Sequence, residues 1–156
     1  MKTLDTRAWL AGFVSVAALV LMSFTPRLGG YSYTIHLNNK QVSEHYLTSK
    51  FETPTLSLTN NDLKGTLTIY FNECGEIGKG RKLSLRDANQ KTLKEWSYAN
   101  SITKHDPMDV SLSDISSLLA SGKVAIYYSS ERVTKPQVIA NLATSVNANK
   151  LKATSR

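Results

Sequence analysis

Residues 65–72 read GTLTIYFN, and the alternation in this stretch decides the fold. Leu67, Ile69 and Phe71 fall on one side, Thr66, Thr68 and Tyr70 on the other. Successive side chains of an extended chain point to opposite faces, so a period of two residues marks a strand with one buried face. The same period continues upstream. Tyr31, Tyr33, Ile35 and Leu37 alternate with Ser32, Thr34 and His36. Asn38-Asn39-Lys40 is a turn signal, and residues 41–47 read as the returning strand. Residues 55–59 alternate with Leu56 and Leu58 inward, and Asn60-Asn61-Asp62 marks a loop.

Downstream, residues 82–86 carry Leu83 and Leu85, Asp87-Ala88-Asn89-Gln90 forms a hairpin turn, and residues 92–98 return. Leu93 and Trp96 differ in parity there, which predicts a bulge. Residues 108–112, 123–130 and 138–143 read as further strands. Between them SLSDISSLLASG (111–122) reads as one short helix. Leu112, Ile115, Leu118 and Leu119 share its buried face, Ser111 with Asp114, or Ser113 alone, caps its start, and Gly122 ends it. Many short strands at close spacing with one incidental helix predict an all-β antiparallel β-sandwich, immunoglobulin-like or jelly-roll-like.

The domain plan follows from composition. Ala8 to Phe24 is an uncharged apolar run preceded by Lys2 and Arg7, the pattern of an export leader. Two fates fit it. A cleaved signal peptide ends near Leu28-Gly29-Gly30; an uncleaved anchor keeps Lys2 and Arg7 in the cytoplasm. Both place the body of the chain outside the cytoplasm: periplasmic, cell-surface or secreted. A lipoprotein does not fit, because no cysteine follows the apolar run until Cys74. Residues 1–30 are therefore expected to be leader or anchor, 31–143 the sandwich, and 144–156 a flexible polar and basic tail.

The chain carries 19 basic and 12 acidic residues, a formal charge of +7. Without residues 1–30 it is +5, scattered along the chain. A nucleic-acid interface needs a clustered basic stripe, so that class is excluded. One cysteine makes no internal disulfide, so an exported domain of this kind must be held by its core.

The chemistry-bearing candidates centre on residues 72–82, NECGEIGKGRK. Gly75, Gly78 and Gly80 beside Lys79, Arg81 and Lys82 suit a loop whose N–H groups meet an anion or a glycan. Nucleotide binding is excluded, because the loop leads into a strand and Lys79 is followed by Gly80 instead of Ser or Thr. Cys74 completes the ligand-binding set Cys74, Gly75, Gly78, Lys79, Gly80 and Arg81. A nucleophilic thiol needs a base, and none of His36, His45 and His105 forms a local signature with Cys74. No residue is assigned a catalytic role, and no cofactor or metal is expected. A hairpin turning at Asn39-Lys40 sets Leu37 against Val42 and brings His36 and His45 to one outer face, a two-histidine arrangement short of a third ligand. Asp106, Asp109 and Asp114 lack the spacing of a calcium loop. Tyr70, Trp96, Tyr98, Tyr127 and Tyr128 suit a core or a sugar-stacking platform, and of the adjacent Tyr127 and Tyr128 one must face away from the other.

The run FNECGEIGKGRKLSLRDANQKTLKEW, with Cys74, Gly75, Gly78, Lys79, Arg81, Asp87, Lys94 and Trp96, resembles small exported proteins of Bacteroidota, and the opening YSYTIHLNNKQV is similar to theirs as well. The resemblance spans residues 31 to 143. It implies a β-rich periplasmic or surface domain and carries over no activity and no catalytic residue. The expectation is an exported, non-catalytic envelope binding or assembly domain. Its partner is an envelope protein or a glycan, and it meets the membrane only through an uncleaved N-terminal segment. Two other classes stay open: a thiol-dependent enzyme using Cys74, and a glycan-binding module using Tyr70 or Trp96.

Overall fold

The structure, a computed structural model, describes residues 30–47, 51–120 and 122–144. The expected leader, Gly30 apart, and the expected tail beyond Thr144 lie outside the described residues. The fold is an all-β sandwich with one short helix. Its strands are β1 (Ser32–Leu37), β2 (Lys40–Tyr46), β3 (Thr55–Leu58), β4 (Thr66–Asn72), β5 (Lys82–Asp87), β6 (Thr92–Ser97), β7 (Pro107–Ser111), β8 (Val124–Ser129) and β9 (Gln137–Thr144). One 3-10 turn lies at Asp62–Lys64, and another at Ser113–Ile115 runs into helix α1 (Ser116–Ala120).

The strands form a four-stranded sheet, β2-β1-β4-β7, and a five-stranded sheet, β3-β9-β8-β5-β6. Every pairing is antiparallel except β3 on β9, which run parallel from Thr55↔Asn141 to Leu58↔Thr144. Of the residues that the alternation assigned inward, Tyr33, Ile35, Leu58, Leu67, Ile69, Phe71, Leu83 and Leu85 are buried, and Tyr31, Leu37 and Leu56 are partly buried against the core. Tyr33, Ile35, Leu67, Ile69 and Phe71 from one sheet meet Leu83, Leu85, Ile126, Tyr128, Ile139 and Leu142 from the other, all buried. Leu112, Ile115 and Leu119 close the core from the helical segment. Two contacts lock the layers together. The Phe71 and Tyr128 rings stack with centroids 3.9 Å apart, and the Tyr33 hydroxyl donates to the Ile139 carbonyl at 2.7 Å.

Three local expectations are corrected or refined. The first hairpin turns at Asn38-Asn39, at φ 52 and 66, the left-handed pair that a two-residue hairpin turn requires. Leu37 therefore faces Lys40, and His36 faces Gln41. The register then slips, so that Ile35 faces Ser43 and Val42 bulges out of the ladder. The second hairpin carries the bulge expected from its parity slip: Leu85 faces Lys94 and Arg86 faces Thr92, leaving Leu93 as the extra residue. At the helical segment no side chain caps the first turn. Ser111 Oγ instead donates to Asp114 Oδ1, and Asp114 pairs with Lys94 at 3.5 Å.

The registers define two ends. Ser32, Tyr46 and Asn72 lie side by side, as do Lys82, Ser97 and Ser129. Hence the start of β1, the end of β2 and the β4–β5, β6–β7 and β8–β9 connections share one end of the sandwich. The β1–β2 and β5–β6 turns occupy the other.

Candidate functional site

The outer face of the four-stranded sheet carries a groove of about 350 Å3. Its shape follows from the rungs of the ladder. Across β2, β1 and β4 the first rung reads Tyr46, Ser32, Asn72, and the second reads Glu44, Thr34, Tyr70. The central strand supplies small hydroxyl residues and its neighbours supply large ones. The floor is therefore low and the walls are high. The third rung reads Gln41, His36, Thr68, and there the His36 ring fills the floor with its centroid 5.1 Å from that of Tyr70. The lining residues stop short of this rung at one end of the groove. Gly30 and His105 border the other.

The wall on β2 depends on the bulge at Val42. One extra residue inverts the facing of everything beyond it. Glu44 and Tyr46 thereby come to the outer face, and His45 turns to the inner side, its ring 5.6 Å from Tyr33 and 5.6 Å from Phe51. His36 and His45 thus lie on opposite faces, which removes the two-histidine arrangement. Among the described residues no group of three or more His, Cys, Asp or Glu side chains converges. Tyr46 is 64% exposed, the most open aromatic of the sheet. The Gln41 amide donates to Glu44 Oε2 at 3.2 Å and holds that carboxylate along the wall.

The loop 72–82 is built otherwise than a ligand cradle. Glu73-Cys74-Gly75-Glu76 is a tight turn, with Cys74 at φ 55, Gly75 at φ 81, and the Glu76 N–H donating to the Glu73 carbonyl at 2.9 Å. Asn72 Oδ1 accepts from the Gly75 N–H at 2.8 Å. The turn projects Cys74 into solvent. Among the described residues no hydrogen bond joins its thiol to a histidine. Lys79 is exposed at the loop surface, and its carbonyl accepts from the Glu131 N–H. The Gly80 N–H donates to Asn100 Oδ1 at 2.9 Å, so that donor serves the loop itself.

Arg81 is withdrawn from any solvent ligand. It is buried, and its guanidinium donates to the Ala99 carbonyl at 3.0 and 2.9 Å and to the Asp106 carbonyl at 2.9 Å. Beside it lies an acid that sequence reasoning missed. Glu73 is buried at the end of β4, where Oε1 accepts from the Tyr128 hydroxyl and Oε2 has no hydrogen-bond partner among the described residues. Burial, then the hydrogen bond and charge of Glu73, push the Tyr128 phenol well above the usual tyrosine range. Gly78 fits between them: a Cβ there would stand 2.8 Å from Arg81 Cδ and 3.3 Å from Glu73 Oε1. This buried cluster braces the loop.

The remaining candidates separate. Asp106 accepts from the Ile102 and Thr103 N–H groups and from the Thr103 hydroxyl, which together hold its carboxyl below the usual range. Asp109 accepts from Thr68 Oγ1 at 2.6 Å. Each aspartate therefore serves its own strand or loop. Trp96 is half-buried on the other sheet opposite Leu83, with Lys94 Nζ 5.4 Å from its ring centre. Tyr98 donates to the Asp109 carbonyl at 2.7 Å. Tyr128 faces the core, and Tyr127 faces outward under Arg86. Of the aromatic platform candidates, Tyr70 alone lines the groove. The alternation had already placed Ser32, Thr34, His36 and Tyr70 on an outer face. Glu44 and Tyr46 needed the bulge, for which Val42 gives no parity signal. No protein-family model matches the chain, and no curated protein matches it.

Proposed function

We propose that this chain is an exported, non-catalytic binding domain of the cell envelope, and that its ligand is a saccharide chain laid in the groove over Ser32 and Thr34. One observation carries the reading: two tyrosines, Tyr46 and Tyr70, flank a floor of hydroxyl groups, with Glu44 and Asn72 on the walls. Tyrosine rings offer an apolar face for the C–H side of a pyranose and a polar tip for its hydroxyls. A carboxylate, an amide and two small hydroxyls converge on the same space, as selective sites require. The leader supports export, and the groove needs neither Cys74 nor a catalytic histidine.

The test is an array of bacterial envelope oligosaccharides probed with the purified protein and with Tyr70→Ala and Tyr46→Ala. Saturable binding should weaken at least about tenfold in each variant, equivalent to about 1.4 kcal/mol. A flat array, or binding that survives Tyr70→Ala unchanged, rejects the proposal. Trp96 lies on the other sheet, so ligand must be read from tyrosine signals or by calorimetry.

A further inference from the structure

We infer that the end of the sandwich formed by the β4–β5, β6–β7 and β8–β9 connections rests on a lipid bilayer and touches it through Ile77 and Ile102. The inference rests on the reading of Ala8–Phe24 as a segment that stays in the membrane.

Among the described residues four large apolar side chains are exposed, and three of them, Tyr46, Ile77 and Ile102, lie at this end. Ile102 is 87% exposed. It is not exposed through slackness of its loop. The Asp106 carboxylate accepts from the Ile102 N–H at 2.5 Å, and Arg81 ties the flanking Ala99 and Asp106 carbonyls into the buried cluster. The Ser101 N–H donates to the Gly78 carbonyl at 2.8 Å, which sets the two isoleucine-bearing segments side by side. Around them Lys79, Lys104 and Lys135 are exposed, and none is in an ion pair among the described residues. Arg132 is bridged to Glu76 at 3.6 Å, Glu131 is exposed, and Asp106 is turned to its own loop. Apolar tips ringed by long basic side chains match the boundary between headgroups and acyl chains.

The tether points the same way. Gly30 sits at this end beside the Tyr46–Asn72 rung. Phe24, the last residue of the apolar run, precedes it by six residues. That length of chain spans at most about 20 Å. A membrane holding the run therefore lies close to this end. The opposite end offers the polar tips Asn38-Asn39, Asn60-Asn61 and Ala88-Asn89 instead.

Cys74, the lone thiol, projects from the end in question and supplies the probe. The full chain would be labelled there with a fluorophore and reconstituted in phosphatidylethanolamine–phosphatidylglycerol vesicles whose lipids carry a headgroup-level quencher. The reference is the Cys74→Ser, Asn89→Cys chain, labelled at the opposite end. Several-fold stronger quenching at Cys74 than at Asn89, falling to the Asn89 level in Ile77→Asp, Ile102→Asp, supports the inference. Equal quenching at the two ends, with the chain resisting alkaline carbonate extraction, overturns the inference and leaves the anchor reading intact. Extraction of the chain by carbonate removes the anchor reading and the inference with it. Energy transfer between Cys74 labels on different copies, without lipid quenching, assigns the isoleucines to a second chain and overturns it as well.

Discussion

The Tyr128 hydroxyl donates to Glu73 Oε1 at 2.5 Å, joining the middle of the core to the loop that carries Cys74. Among the described residues the bond gives a buried carboxyl its one hydrogen-bond partner. Removing only one side leaves a desolvated group unmatched, at a cost of about 1–3 kcal/mol, whereas replacing both sides by apolar groups of similar shape is close to neutral. Tyr128→Phe should therefore lower unfolding stability by about 1–3 kcal/mol. Tyr128→Phe with Glu73→Leu should recover most of that loss. Urea unfolding of the two single variants and the double variant measures the coupling, and additive losses would contradict the pairing.

The turn at Cys74 makes a second prediction. A side chain in the left-handed region costs about 1–2 kcal/mol, and Cys74 adopts φ 55. Cys74→Gly should stabilise the protein by up to about 1 kcal/mol, since glycine's added chain entropy offsets part of the relief. Cys74→Val, β-branched, should destabilise it. Gly78→Ala should cost more than either, about 1–3 kcal/mol, because its Cβ would press on Arg81. Thermal unfolding of the three variants ranks them.

Deleting Val42 tests the origin of the groove. Without the extra residue the β2 ladder continues in the register of the turn, which sends Glu44 and Tyr46 inward and His45 outward. A carboxylate would then face the core. The deletion should lose several times the stability lost by Val42→Ser, which keeps the bulge and changes only an exposed side chain. Denaturant unfolding of the two variants, together with saccharide binding by Val42→Ser, checks this.

The tyrosines fix the alkaline limit. Burial, with the Asp109 charge adding to it, pushes the Tyr98 phenol up to about 12, and burial holds Tyr33 and Tyr128 higher still. Folded values above the unfolded value of 10.0 mean that this stability is intact below that pH and is lost as pH rises through the folded values. Absorbance titration should show Tyr33, Tyr98 and Tyr128 ionising only as the circular dichroism collapses. Asp106 works at the acid side. Its lowered carboxyl favours the fold above 3.8, and that contribution fades as pH falls below it. Asp106→Asn should flatten the acid limb of the pH–stability curve.

Strands such as β1 and β4 were legible because apolar and polar residues alternate along them. Leu67, Ile69 and Phe71 announce a core, and the structure buries all three. The slip between Leu93 and Trp96 announced a bulge because both residues are apolar and fall on opposite parities. The bulge at Val42 was silent, since polar and apolar residues mix along β2 and parity carries little signal there. The groove wall was lost with it. Arg81 was read as a ligand-binding loop residue on its charge, and Glu73 was not singled out at all. Their burial arises from three connections folding over one end of the sandwich, which local periodicity does not contain. The parallel pairing of β3 on β9 is equally nonlocal.

That parallel pairing also sets a timetable. β3 is an edge strand whose single neighbour is β9, and the Tyr33 hydroxyl of β1 finds its acceptor at Ile139. The strands before β8 therefore supply the whole four-stranded sheet but not the five-stranded one, and β3 waits for residues 141–144. Contacts this distant in sequence slow folding, because the chain between them must be ordered first. A ribosome-bound chain that has not yet released β9 has every strand of the four-stranded sheet, while β3 has no neighbour in the other. Trimming β9 should accordingly lower the folding rate and yield as well as the final stability.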